Sequence, residues 1–263
     1  MKIKIVQKKN EDSLEYKIGD EFEVDSTWYG GVNVTSKTGI PISLEKEEYA
    51  EIKNANSYKI LMLNGSSNPK GCTYTALSEI GRELEKEGIE YEIFQIGANP
   101  VRDCIGCGRC SNGECVFDDD KVNEFVKKAA MADGFIFGTP VYYAHPSGRI
   151  LSFLDRAFYS NKKAFEHKPA AAVASARRAG TTASLDVINK YFGISSMITI
   201  GSSYWNMVHG NNAQEVLEDK EGLQTMRNIA KNISWILKCI SIGKENGICF
   251  PEEEKENKTN FIR

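Results

Sequence analysis

The chain has 263 residues, 33 Lys and Arg against 36 Asp and Glu, a formal net charge of −3 and 41% hydrophobic residues. That balance lacks the basic excess that neutralising nucleic-acid phosphates demands, and no run approaches the ~20 apolar residues needed to span a bilayer. The opening MKIKIVQKKNEDSLEY has no apolar leader, so the expected location is the cytoplasm, where seven cysteines suit metal or redox use better than a disulfide framework.

Residues 1–53 read as a small β domain. KIKIVQ, EFEVDSTWY, GGVNVTS and IPISL alternate apolar and polar residues between breaks at residues 17–20, Gly30-Gly31 and residues 37–39, a pattern expected of an SH3-like half-barrel. Trp28 and Tyr29 beside the glycine pair read either as core or as an exposed recognition surface. The polar stretch Glu45 to Ser57 is expected to carry a linker. From residue 58 to about 250 strands alternate with helices, and 251–263 form a polar tail.

In that second region the apolar run Ile60 to Leu63 predicts a strand buried on both faces, and Thr73 to Glu87 a helix stopped at Gly88. IEYEIFQI is the second strand. The aspartates Asp118 to Asp120 are expected to cap a helix with Val122, Phe125, Val126 and Ala129 on one face. GFIFGT from Gly134 is the third strand, Ser147 to Tyr159 a helix and AAAVAS the fourth strand. Thr181 or Thr182 is expected to cap a helix through Tyr191, and Met197 to Ser202 is the fifth strand. A long helix from about Asp219 carries Leu223, Met226, Ile229, Ile233 and Leu237 at helical spacing. Five strands with intervening helices imply an α/β parallel sheet covered on both sides, with ligands beyond the strands' carboxyl ends.

Three loops at those ends carry chemistry. After the first strand, Gly65, Ser66, Ser67, Asn68, Gly71 and Thr73 offer hydroxyls and free backbone N–H groups where a helix begins, which suits a phosphate. Neither a Gly-Lys-Ser/Thr ending nor a Gly-X-Gly-X-X-Gly run is present, and an ordinary capped connection is the plainer alternative. Thr139-Pro140-Val141-Tyr142-Tyr143 follows the third strand, and Ser175-Ala176-Arg177-Arg178-Ala179-Gly180 the fourth. Together, in this order, the loops resemble those of the flavodoxin-like NAD(P)H-dependent FMN reductases. The resemblance implies a five-stranded parallel sheet of order 2-1-3-4-5. It also implies FMN with its phosphate on Ser66, Ser67, Asn68, Gly71, Thr73 and Tyr74, and its ring along Thr139, Pro140, Val141, Tyr142 and Tyr143. Ser175, Arg177, Arg178 and Gly180 would form the third wall, with Arg177 and Tyr142 in catalytic positions. The aromatic segment Ser203 to Gly210 also resembles this family; His209 reads as a ligand-facing or a structural histidine.

Cys104, Cys107, Cys110 and Cys115 fall within twelve positions and are interleaved with Gly106, Gly108 and Gly113. Two successive X-X intervals favour an iron–sulfur cubane over zinc, and the loop resembles the compact motif of the iron–sulfur flavoproteins. Its four-residue last gap, without a following proline, departs from the ferredoxin run. A [4Fe–4S] cluster, zinc, a redox pair and structural thiols all remain open. The expected function is an FMN-dependent NAD(P)H oxidoreductase reducing a small-molecule acceptor such as a quinone, nitro, azo or enone compound. The alternative is an electron carrier between cluster and FMN with a ferredoxin-like partner. The resemblance implies a homodimer or homotetramer, and no nucleic-acid or membrane partner is expected.

Overall fold

The computed structural model describes residues 2–10, 12–52, 58–259 and 261. The chain divides into two compact units, Met1–Ser57 and Tyr58–Arg263.

The first unit is an antiparallel sheet of β1 (Lys2–Ile5), β2 (Glu21–Trp28), β3 (Gly31–Thr35), β4 (Pro41–Glu45) and β5 (Tyr49–Ile52), in the order β4-β3-β2-β1-β5. Alternation sends Ile3, Ile5, Phe22, Val32, Val34 and Leu44 to one side, where they form the core with Tyr16. Trp28 and Tyr29 are both exposed, Tyr29 fully. The expected linker is partly sheet. Tyr49–Ile52 pairs with β1 along its whole length, and half-buried Tyr49 packs on the core, which outweighs the polar composition of the stretch. Residues 53–57 lie outside the described residues.

The second unit contains β6 (Lys59–Asn64), α1 (Cys72–Lys86), β7 (Glu90–Gln95), α2 (Val122–Met131), β8 (Gly134–Tyr142), β9 (His145–Pro146), α3 (Gly148–Ser160), β10 (Pro169–Ala176), α4 (Thr181–Ile194), β11 (Ile198–Thr199), β12 (Met207–His209), α5 (Ala213–Glu218) and α6 (Lys220–Glu245). Strands β7, β6, β8 and β10 lie side by side in that order, all parallel, and β11 and β12 both pair with β10. The continuous apolar run of β6 now has its reason. Leu61 and Leu63 join the core under α2, α3 and α4, while Ile60 and Met62 join the one under α1 and α6.

Four local expectations are corrected. The fifth strand is split, because residues 200–206 loop out and Asn206 supplies the missing partners: its Nδ2 donates to the Ile200 carbonyl (3.1 Å) and its own carbonyl accepts from the Ala174 amide (3.0 Å). Strand β8 runs past Thr139 to Tyr142; β6 has ended by then, so Pro140 sits where no ladder bond is asked of its nitrogen. Helix α4 starts from Gly180 in a left-handed conformation, and neither Thr181 nor Thr182 caps it. At α2 the capping position is Lys121; Asp120 accepts from the Val122 amide (3.0 Å) but also binds Arg156. Helix α5, capped by Asn212, was not anticipated from the periodicity. Among the described residues no helix is long and apolar enough to cross a membrane.

Candidate functional site: a cavity at the strand ends and a four-cysteine pocket

The carboxyl ends of β6, β8 and β10 open into a cavity of ≈ 500 Å³, within the range of small-molecule and cofactor sites. Ser66, Asn68, Gly71 and Thr73 come from the first loop, Pro140, Val141 and Tyr142 from the second, and Ser175 and Arg177 from the third. The first loop is held by its own polar groups. Asn64 Oδ1 accepts from the Ser66 amide (3.2 Å), Ser66 Oγ from the Asn68 amide (3.1 Å), and Asn68 Oδ1 from the Lys70 amide (3.0 Å). Helix α1 begins at Gly71 with no side-chain cap, so its first N–H groups and its dipole face the cavity. Lys70, exposed on the same rim, adds a cation. Uncapped donors, a dipole and a lysine fit a phosphate. At the rear, buried Thr73 and Ser175 share a hydroxyl hydrogen bond of 2.8 Å that ties the first loop to the third.

Several expected residues lie outside this lining. Ser67 is exposed and Tyr74 stands one position beyond the lining residue Thr73. Thr139 is fully buried and internally bonded: its Oγ1 accepts from the Ser147 amide (3.1 Å) and donates to the Pro140 carbonyl (2.9 Å). Tyr143 is fully exposed, because residues 143 and 144 form the tip of the β8–β9 hairpin with φ of 51° and 60°. Arg178 is exposed away from the cavity, and Gly180 acts on it only through the backbone. Sequence reading missed Cys72, Gly210, Asn211 and Asn212 on the far rim. For Gly210, Asn211 and Asn212 the signal was the break between β12 and α5, of which only Gly210 was read, as the end of the aromatic segment; Cys72 opens α1.

That aromatic segment lines a different cavity, ≈ 560 Å³, formed by Tyr204, Trp205, Ser202 and Asn206 with Thr182, Asp186 and Asn189 of α4. His209 belongs to neither lining. Its amide donates to Asp219 Oδ2 (2.7 Å), so its backbone helps hold the start of α6.

The four cysteines all line one small pocket with Ile105, Gly106, Gly108, Phe117, Arg156 and Tyr159. All are free thiols, Cys107 exposed and Cys115 buried. The four-residue last gap is a hairpin. Ser111 and Glu114 bridge each other, and Asn112 and Gly113 between them have φ of 53° and 77°, as a two-residue turn of the I′ kind requires. The hairpin sets Cys110 and Cys115 at the two ends of its bridge. Burial pushes the Cys110 thiol up, helped by the neighbouring Cys115, Cys107 and Cys104 sulfurs. Asn123 of α2 fixes the strand of Cys115, accepting from its amide (2.8 Å) and donating to its carbonyl (2.9 Å).

Arg156 of α3 lies beneath the pocket and is 1% exposed. Its Nε donates to Cys115 Sγ (3.3 Å), its Nη1 to the Arg102 carbonyl (3.3 Å) and to the Asp120 carboxylate, and its Nη2 to the Phe117 carbonyl (2.7 Å). Burial pulls its pKa down, but the Asp120 and Cys115 contacts win and the net direction is up, so the guanidinium stays charged. Among the described residues no three His, Cys, Asp or Glu side chains converge as a single metal ion requires. Four thiolates on one tetrahedral zinc would stand only about 3.8 Å apart, given Zn–S bonds of about 2.3 Å. Four thiols lining one pocket are the soft donor set that an iron–sulfur group would take.

The family profile described as NADPH-dependent FMN reductase matches residues 58–212. An iron–sulfur flavoprotein of Methanocaldococcus jannaschii is 31% identical over 194 residues, covering 69% of this chain and 98% of that protein. One of Methanosarcina thermophila is 29% identical over 194 residues, 71% and 99% of the two chains. In structure the chain resembles a flavodoxin, WrbA-like protein of Agrobacterium tumefaciens, with a TM-score of 0.51 at 15% identity over 70% of this chain and 99% of that one. The second unit therefore has the flavodoxin-like α/β fold with a parallel sheet. The chain belongs to the NADPH-dependent FMN reductase family, and is an oxidoreductase.

Proposed function

We propose that the chain is an FMN-dependent oxidoreductase that works as an iron–sulfur flavoprotein, exchanging single electrons between FMN and a [4Fe–4S] cluster held by Cys104, Cys107, Cys110 and Cys115. The observation that carries this reading is the convergence of the four thiols on one pocket backed by a buried, charged arginine. Hydride transfer does not by itself require that arrangement, and the two relatives matched over nearly their whole length are named iron–sulfur flavoproteins.

When bound, FMN supplies a centre that takes electrons in pairs or singly, and a cluster supplies one-electron transfer. The chain's own residues do the rest. The uncapped amides of α1 and Lys70 would hold the phosphate, and the Ser66 and Thr73 hydroxyls line the same cavity. Tyr142, half-exposed on the second loop, presents an aromatic face to a flat ring. Arg177 on the third loop would offer a cation to negative charge on a ring bound there. Mobility of the thiols is limited by the hairpin at Asn112-Gly113 and by Asn123.

The test is Cys107→Ala on anaerobically prepared protein. Loss of iron and sulfide together with loss of electron transfer to a protein acceptor, while FMN is retained, supports the reading. A variant as active as the wild type, with no iron above background in either, sinks it and leaves a plain NAD(P)H reductase of small acceptors.

A further inference from the structure

We propose that Arg156 is a positioning residue for electron transfer: its N–H···S bond to Cys115 raises the reduction potential of the cluster and makes Cys115 its electronically distinct ligand. The inference rests on the cluster reading above and goes beyond it by assigning a role to a residue that binds neither metal nor flavin.

Arginine is almost never fully buried unless it is paired. Here its partners are specific. Arg156 is 1% exposed, and its donor nitrogens reach different points of the cysteine loop and the segments that flank it: Nε the Cys115 sulfur, Nη1 the Arg102 carbonyl and Asp120, Nη2 the Phe117 carbonyl. A lysine could not span those directions, because the fork is planar and fixed. Among the described residues Cys115 is the only one of the four whose sulfur accepts a side-chain hydrogen bond, and it is also the one that is buried.

A thiolate that accepts a hydrogen bond donates less electron density to its iron. The added electron is then better tolerated, so the potential rises; hydrogen bonds to sulfur, net charge and solvent exposure are the levers a protein has over such centres. Burial makes the bond count for more, since water does not compete for the sulfur. Asp120 works against it, because its carboxylate offsets the arginine charge at the same nitrogen fork. Two substitutions should therefore shift the potential in opposite directions, which a merely structural role would not produce.

The experiment is a redox titration, followed by electron paramagnetic resonance, of anaerobically reconstituted wild type, Arg156→Gln, Arg156→Lys and Asp120→Asn, with iron and sulfide measured on each. The expected result is a downward shift for Arg156→Gln, a smaller one for Arg156→Lys and an upward shift for Asp120→Asn. If neither Arg156 variant loads iron, the Asp120→Asn shift decides, and its absence overturns the inference. Loaded Arg156 variants that titrate with the wild type overturn the inference alone. Wild-type protein that takes up no iron overturns the cluster reading and the inference with it.

Discussion

Gly180→Ala tests whether the three loops around the larger cavity act as one frame. Gly180 has φ of 93°, and a Cβ built on it would stand 2.4 Å from the Ala144 Cα and 2.9 Å from Val141 Cγ1. The third loop thus presses on the second at the hairpin tip, where Tyr143 and Ala144 are themselves left-handed. An L-residue in the left-handed region costs about 1–2 kcal/mol and overpacking about 1–3 kcal/mol more. At about 3 kcal/mol in total, and about 2–4 °C per kcal/mol for a domain of this size, the melting temperature should fall by about 6–12 °C. Because Val141 lines the cavity, FMN should also bind more weakly. Gly148→Ala is the control: it opens α3, nothing lies within 4 Å of its added methyl, and it should be neutral or stabilising by up to about 1 kcal/mol. The readout is thermal unfolding by circular dichroism with a parallel flavin fluorescence titration. A Gly180→Ala protein that melts with the wild type refutes the contact between the loops.

Thr73→Val keeps the volume of the side chain but removes the hydroxyl shared with Ser175; it should weaken FMN binding by about 1.5–3 kcal/mol, the worth of a hydrogen bond to a charged group. An unchanged fluorescence titration would mean that this hydroxyl serves Ser175 alone. Lys238→Met addresses the pairs between α1 and α6, where Glu79 meets Arg227 (2.5 Å), Glu83 meets Lys231 (3.5 Å) and Glu87 meets Lys238 (3.0 Å). Lys238 is the main cause that holds Glu87 below its ordinary 4.5, so the folded state binds that proton less tightly than the unfolded one. The stabilisation is present above that range and lost as pH falls through the lowered value. The substitution should therefore cost about 0.2–1 kcal/mol in urea unfolding near neutral pH and less as the pH falls through the lowered value; a loss that does not change with pH would assign the effect to packing.

Much of the second unit was legible because its signals are local. The run Ile60 to Leu63 could be buried only on both faces, and the spacing of Met226, Ile229, Ile233 and Leu237 could suit only a helix against a core. The place of the first loop was legible for the same reason, since small polar residues between a parallel strand and its helix stand at the strand's carboxyl end, where Ser66, Asn68, Gly71 and Thr73 line the cavity. What stayed hidden depends on partners distant in sequence. Thr139 reads as a ligand residue until Ser147, eight positions on, is seen to donate to its hydroxyl. Asp120 reads as one of three capping aspartates until Arg156 arrives from α3 to claim it. Arg156 itself sits among Phe153, Leu154 and Ala157 of a buried face, where a charge should not be; that misfit was the available signal. The hairpin at Tyr143-Ala144 carried no glycine to announce its left-handed turn.

Gln95 is where the two sites meet along the chain, and it separates their supports. It ends β7, and the next residues enter the cysteine loop. Its side chain turns back toward the first loop: Nε2 donates to the Ser66 carbonyl (2.7 Å), and Oε1 accepts from Nδ2 of fully buried Asn64 (2.5 Å). The onward chain is held by another residue, since Arg149 Nη1 donates to the Gly97 carbonyl (2.8 Å) and the Asn99 carbonyl (2.6 Å). Gln95→Leu keeps the bulk and leaves two polar groups without their partner, at about 1–3 kcal/mol each for groups that stay dry. Both belong to the phosphate loop and its strand. The variant should thus lose FMN affinity by tenfold or more, each factor of ten being about 1.4 kcal/mol, while its iron and sulfide content after anaerobic reconstitution stays at the wild-type level. Iron lost in step with flavin would show that the cysteine pocket leans on the phosphate loop through β7, and that Arg149 does not hold the connection between them.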